Sequence, residues 1–118
     1  DWPTKDGTGV RDYIHVMDLA EAHYAAIKLL FTSNSIFQNF NIGTGKGTSV
    51  LELVNTFERI NNCKIPRRYI DRRKGDLASV VADNKLALSS LDWQPQRSIE
   101  DMCRDGWNWQ KQNPKGFD

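Results

Sequence analysis

The stretch Gly7-Thr8-Gly9-Val10-Arg11-Asp12-Tyr13-Ile14-His15-Val16-Met17-Asp18 constrains this chain more than any other. Before it, Pro3 and Asp6-Gly7 are turn chemistry, since Pro fixes φ and Gly admits φ > 0. Val10 to Val16 reads as a short extended run. Asp18 reads as the N-cap of a helix, with Glu21 in the first turn, where the helix dipole favours a carboxylate. Leu19, Ala22, His23, Ala26, Ile27 and Leu30 then recur at helical spacing, which predicts one buried stripe ending near Phe31. Arg, Asp, Tyr and His so close together exceed what a packing strand needs. Arg11 and Tyr13 are therefore candidates to grip a phosphorylated ligand.

Thr32 to Ser35 reads as a loop, Phe37 to Ile42 as a strand with one buried face, and Gly43-Thr44-Gly45-Lys46-Gly47 as a flexible turn. Ser49 with Glu52 is a capping-box signature. It opens a helix bearing Val50, Leu53, Val54, Phe57 and Ile60, which Asn61-Asn62 stops. Ile65 to Ile70 reads as a further strand, placed at a start or an edge by Pro66. Arg72-Arg73-Lys74-Gly75-Asp76 is a charged turn, and Val80-Val81-Ala82 a short apolar run. Asp83 is expected to cap a brief helix carrying Leu86, Ala87 and Leu91. Ser98 is expected to cap the last helix, with Ile99, Met102, Cys103 and Gly106 as its stripe, Trp107 and Trp109 beside it, and Asn113-Pro114 as its end. The order predicts a small mixed α+β domain with few short strands and about four helices.

Composition narrows the function classes. The 118 residues are 26% charged and 39% hydrophobic with a net charge of +1, so any anion site has to be local rather than a global basic field. Cys63 and Cys103 are too few for a disulfide framework and have no metal-ligand spacing around them. Reduced thiols fit a cytosolic protein. No apolar run nears the roughly 20 residues of a membrane span, and no signal peptide is recognisable. The start at Asp1, inside loop chemistry, suggests a piece of something longer.

Two fingerprints invite a catalytic reading and fail it. Gly43-Thr44-Gly45-Lys46-Gly47 sits between a strand and a helix like a dinucleotide-binding loop, but the position needed for its third Gly, 48, is Thr. Tyr24-Ala25-Ala26-Ile27-Lys28 copies the Tyr-x-x-x-Lys pair of short-chain dehydrogenases, yet too little chain precedes it for a complete dinucleotide unit, and such i, i+4 pairs are common on solvated helix faces. Arg72-Arg73-x-Gly75-Asp76 carries more. A guanidinium binds phosphate bidentately, and a nearby carboxylate accepts from ribose hydroxyls. Its bland alternative is a solvated charged turn, and Arg11 alone could equally be a surface ion-pair partner. His15 reads as a core or supporting residue, and the two tryptophans as packing.

Taken together, these pieces resemble the C-terminal part of UDP-glucose 4-epimerases, which are extended short-chain dehydrogenase/reductases. The carrying motifs are Pro3-Thr4, Asp6 to Ala20, Asn41-Ile42-Gly43-Thr44-Gly45, Ser49-Val50-Leu51, Arg72 to Asp76, Glu100 to Asp105, Trp107-Asn108-Trp109-Gln110 and Asn113-Pro114. They span essentially the whole chain. The resemblance implies a two-domain isomerase of galactose metabolism. Its N-terminal Rossmann domain holds NAD and the catalytic residues, and its smaller C-terminal domain, residues 1–118 here, binds the UDP-hexose. NAD takes a hydride from C4 of the sugar and returns it to the other face. The chain itself would contain neither catalytic nor NAD-binding residues, and would be inactive alone. The intact enzyme would be a cytoplasmic homodimer without nucleic-acid or membrane partners.

By the same resemblance, Arg11 and Arg73 correspond to arginines that clasp the pyrophosphate. Tyr13 matches an aromatic beside the nucleotide, Asp76 an acid reaching the ribose, and Val50 an apolar residue against the uracil. Val80 falls where family members vary a residue lining the sugar pocket, and its small size implies room for UDP-GlcNAc and UDP-GalNAc. Asp12 and His15 would be supports holding Arg11 and the following helix. Trp2 and Gly106 depart from the family pattern outside these motifs. Two alternatives remain: a related nucleotide-sugar dehydratase or decarboxylase, and a stand-alone nucleotide- or RNA-binding module using Arg67, Arg68, Arg72 and Arg73.

Overall fold

The computed structural model describes residues 1–34 and 37–117. Ser35, the last residue of the expected Thr32–Ser35 loop, lies outside them. Among the described residues the elements run β1 (Val10–Arg11), α1 (Val16–Thr32), β2 (Thr48–Ser49), α2 (Val50–Asn61), β3 (Ser79–Val80), α3 (Lys85–Ser90) and α4 (Ile99–Gln112). Four helices around a minimal sheet bear out the expected small α+β domain. The sheet order is β2-β1-β3, with β1 antiparallel to β2 and parallel to β3. Its register sets Thr48, Arg11 and Val80 in one row, and Ser49, Val10 and Ser79 in the next.

The core lies under α1 and α3. Ala22, Ala87, Leu91 and Trp93 are buried together, with Ile14, Ala25, Leu29, Phe40 and Ile42 packed against them. A second layer joins α2 to α4, where Phe57 meets Trp107 edge-on at 5.6 Å between ring centroids. Cys103 is buried between these helices, and burial pushes its thiol pKa up.

Several local expectations need correction. The extended run over Val10–Val16 pairs only at Val10–Arg11, because beyond it the Asp12 carboxylate takes the Ala82 N–H that would continue the ladder. Phe37 to Ile42 joins no sheet among the described residues: Phe40 and Ile42 pack on the core, while Phe37 is 98% exposed. Ile65 to Ile70 is likewise unpaired. The Ile65 N–H is used by Glu58 Oε1 at 2.8 Å, and Tyr69 and Ile70 face outward.

Helix starts also differ from the sequence reading. The N-cap of α1 is His15, not Asp18: its Nδ1 accepts from Met17 N at 3.0 Å. That leaves Nε2–H to donate to Asp105 Oδ2 at 3.1 Å, a contact that, ahead of the Arg104 bond, lowers the Asp105 pKa. The buried face of α1 is accordingly Asp18, Ala22, Ala25, Ala26 and Leu29, which keeps Ala22 and Ala26 of the expected stripe, whereas His23, Ile27 and Leu30 point outward. At α3 the cap position belongs to Asn84, whose side chain is spent on Gly43 O, so Asp83 takes the Lys85 N–H instead.

The remaining ends follow the sequence reading. Ser49 and Ser98 cap α2 and α4 by accepting from Glu52 N and Asp101 N; the full capping box, with the Ser98 N–H donating to Asp101 Oδ2, forms at α4, and at α2 only the Ser49 half of the expected box forms. The Ser98 N–H, then Arg104, hold the Asp101 carboxyl at about 2. Asn62, in the left-handed region at φ 48, ends α2.

Candidate functional site

Arg11 lies on the central strand, and its guanidinium folds back over Gly9, where the absence of a side chain leaves it space. Its NH1 donates to Val10 O at 2.7 Å and to Leu77 O at 3.0 Å, and its NH2 lies 4.0 Å from Asp76 Oδ1. The other oxygen of that carboxylate accepts from Arg73 Nε at 3.0 Å. Gly75, at φ +88, makes the tight turn that returns the chain to β3, and Val10 N donating to Ala78 O closes the turn onto β1. Arg11, Arg73 and Asp76 therefore come together although about sixty residues separate the first from the others. Two guanidiniums, both reachable from solvent, face one acidic group, and such a pair can bind a phosphate or pyrophosphate.

Sheet register adds Val80, directly beside Arg11 on the neighbouring strand. Both line an open cavity of about 510 Å³ whose wall also includes Asp12, Ile42, Val81 and Asp83. Val50 is half-exposed at the start of α2, and its N–H donates to Gly9 O at 3.0 Å, which places it next to the β1–β2 edge. Tyr13 is not brought to this cavity. It lines a separate one of about 570 Å³ with Lys46, Arg97, Glu100 and Met102.

Asp12 supports Arg11 through the strand that carries it rather than through a bond to the guanidinium. Its Oδ1 accepts from Thr44 N at 2.9 Å and Thr44 Oγ1 at 2.6 Å, and its Oδ2 from Gly45 N at 2.9 Å and Ala82 N at 3.3 Å. A single carboxylate thus ties β1 to the glycine turn and to the chain leaving β3. It also explains physically why that turn is no dinucleotide cradle: amides that would face a phosphate already face Asp12. The residues present do not fit NAD there. His15 supports the helix that follows it.

Other sequence candidates resolve into structure. Tyr24 is exposed with the Lys28 ammonium 5.7 Å from its ring, a solvated helix pair. Arg72 lies over the Trp2 ring at 3.9 Å and pairs with Asp1, and Arg67 donates to Asn55. Those arginines do not form a free basic comb. Among the described residues no group of three or more His, Cys, Asp or Glu could hold a metal, and no helix is long and apolar enough to cross a membrane.

No family model matches the chain. Curated relatives do. A UDP-glucose 4-epimerase of Cyamopsis tetragonoloba is 50% identical over 118 residues, which are 99% of this chain and 33% of that protein. The UDP-glucose 4-epimerase of Bacillus subtilis (strain 168) is 49% identical over 117 residues, 99% of this chain and 34% of its own length. Among solved structures, the UDP-glucose 4-epimerase of Bifidobacterium longum, in complex with NAD+ and UDP, superposes with a TM-score of 0.91 at 44% identity, covering 99% of this chain and 34% of that one. The relatives it resembles over nearly its full length are UDP-glucose 4-epimerases, of which it spans about a third, the C-terminal part.

Proposed function

We propose that this chain is the UDP-hexose-binding part of an NAD-dependent UDP-glucose/UDP-galactose 4-epimerase, an isomerase of galactose metabolism. The observation that carries the reading is the convergence of Arg11 and Arg73 on one carboxylate beside Val80. Two delocalised cations that share one carboxylate suit a pyrophosphate, and Asp76 would accept from a ribose once the phosphates engage the arginines. Val50, at the start of α2, would add a contact from the flank, whereas Tyr13 lies in its separate cavity. Anchoring UDP in this way lets the hexose turn over while the nucleotide stays fixed, which is how remote binding energy serves a reacting centre.

NAD and the catalytic groups would belong to an N-terminal Rossmann domain, so the chain alone is expected to bind without turning substrate over. Surface chemistry supports such a neighbour. Val16, Leu30, Phe31 and Phe37 are between 58% and 98% exposed, an apolar display that a separate globular domain would cover. The intact enzyme is read as a cytoplasmic homodimer. A dehydratase or decarboxylase of the same superfamily would use the same clasp, but the relatives favour the epimerase.

Titration calorimetry of the chain with UDP and with single-stranded RNA tests the binding role. UDP is expected to bind and RNA not to, because Arg67 and Arg72 are already engaged. RNA binding with steep salt dependence, and none to UDP, would overturn it.

Acceptance of UDP-GlcNAc and UDP-GalNAc is a finer part of the proposal and rests on the small Val80 side chain in the 510 Å³ cavity. In the intact enzyme Val80→Tyr should cut the ratio of acetylated to plain substrate turnover by about tenfold or more, since a filled pocket excludes the N-acetyl group. An unchanged ratio would sink this part.

A further inference from the structure

We infer that Asp76 is a specificity filter for the arginine pair: a tethered carboxylate that lies between Arg11 and Arg73 and turns away bare anions. The inference rests on the nucleotide-binding reading and sharpens it. Each oxygen of Asp76 faces a different guanidinium, Oδ2 at 3.0 Å from Arg73 Nε and Oδ1 at 4.0 Å from Arg11 NH2. The pair therefore already has an internal anion where a phosphate would enter.

The Asp76 main chain is held in place, so its carboxylate stays within reach of both arginines. Its N–H donates to Arg73 O at 3.3 Å across the Gly75 turn, and two residues on the Ala78 carbonyl is bonded to Val10 N. Arg11 is held as well, by its two bonds to the Val10 and Leu77 carbonyls. Arg73 is the solvent-facing partner, with its side chain 81% exposed and only its Nε bonded to the carboxylate. Arg72 does not compete for the carboxylate, because it is occupied by Asp1 and the Trp2 ring.

An incoming anion thus faces two obstacles. It must displace an acid that remains within a few ångströms, and the displaced charge then repels it. A phosphate or pyrophosphate offers that carboxylate nothing in return. A nucleoside diphosphate carries hydroxyl donors on the same molecule, and these can satisfy Asp76 while the phosphates take the arginines. Selectivity then arises from an element set against the wrong ligand as well as from attraction to the right one.

Calorimetry on the 118-residue chain with UDP and with inorganic pyrophosphate, at one ionic strength, separates the two effects. Asp76→Asn should tighten pyrophosphate by about fivefold, the scale of removing exposed ion pairs, and weaken UDP several-fold. Asp71→Asn removes the same charge from the neighbouring exposed stretch and should leave the preference for UDP over pyrophosphate within about twofold. Pyrophosphate binding no tighter in Asp76→Asn, or an equal gain in Asp71→Asn, would overturn the filter. Failure of the unsubstituted chain to bind UDP would instead overturn the nucleotide reading, with the pyrophosphate comparison still deciding the filter.

Discussion

Gly43→Ala should destabilise the chain by about 3 kcal/mol and loosen the candidate site with it. A Cβ at position 43 would stand 2.6 Å from the Ala82 Cβ and 2.7 Å from Asp12 Oδ2, distances that real methyl groups do not occupy. Neither neighbour is the free end of a flexible side chain. Ala82 is held through its own N–H to Asp12, and Asp12 also holds Thr44 and Gly45. Relief has to come from moving backbone, either the chain leaving β3 or the turn itself. Both lie next to the Arg11–Val80 row, so UDP binding should weaken in parallel with the fall in the urea midpoint. Gly106→Ala is the matched comparison. It lies inside α4 with nothing within 4 Å of an added Cβ, so the same chemical change should stabilise by about 1 kcal/mol. An unaltered midpoint for Gly43→Ala would mean that the turn is not wedged between Asp12 and Ala82.

The glycine turn shows where sequence reading succeeds and where it stops. Helix periodicity placed α1, α2 and α4, and the Ser49 and Ser98 caps were legible because a cap is a local bond, between residues three apart. The strands were harder. Phe37 to Ile42 and Ile65 to Ile70 have strand composition, but a strand exists only through a partner, and none is present among the described residues. Asp18 and His15 illustrate the same limit at a helix start. An acid one turn ahead of an apolar run normally caps it, yet Asp18 faces Arg97, seventy-nine residues on, and the imidazole three residues earlier takes the cap. Long-range pairing of this kind overrides a local preference worth only about 1 kcal/mol.

The candidate site was legible in its members more than in its arrangement. Arg11, Arg73 and Asp76 could be named because guanidinium and carboxylate groups are the natural partners of phosphates and hydroxyls. That Arg11 and Val80 share a row follows from a two-residue register, which composition does not encode. The separate cavity of Tyr13 was equally hidden, since the chain leaves the ladder after Arg11. What the sequence reading missed most was Asp12. Its four bonds reach residues 44, 45 and 82, and only the fold brings those together.

Asp18→Ala should lower stability by about 3–5 kcal/mol, enough to consume much of the 5–15 kcal/mol typical of a domain. Asp18 is fully buried, at 0% exposure. One oxygen pairs with Arg97 NH1, and the other accepts from Gln96 N at 3.2 Å and Arg97 N at 3.0 Å, while its backbone carbonyl accepts from the Trp93 indole at 3.1 Å. The Trp93 loop and the approach to α4 are thus pinned to α1 by one residue. Truncation leaves two backbone N–H groups without an acceptor and a guanidinium with Glu21 alone. These bonds also raise the Arg97 pKa, with Glu21 contributing more than Asp18. The melting temperature should drop on the order of 15 °C. In a double-mutant cycle, Asp18→Ala and Arg97→Ala should be strongly non-additive, because removing either partner already strands the other. Additive losses would show that the two residues act independently, and a melting temperature unmoved by Asp18→Ala would show that the pin carries no stability.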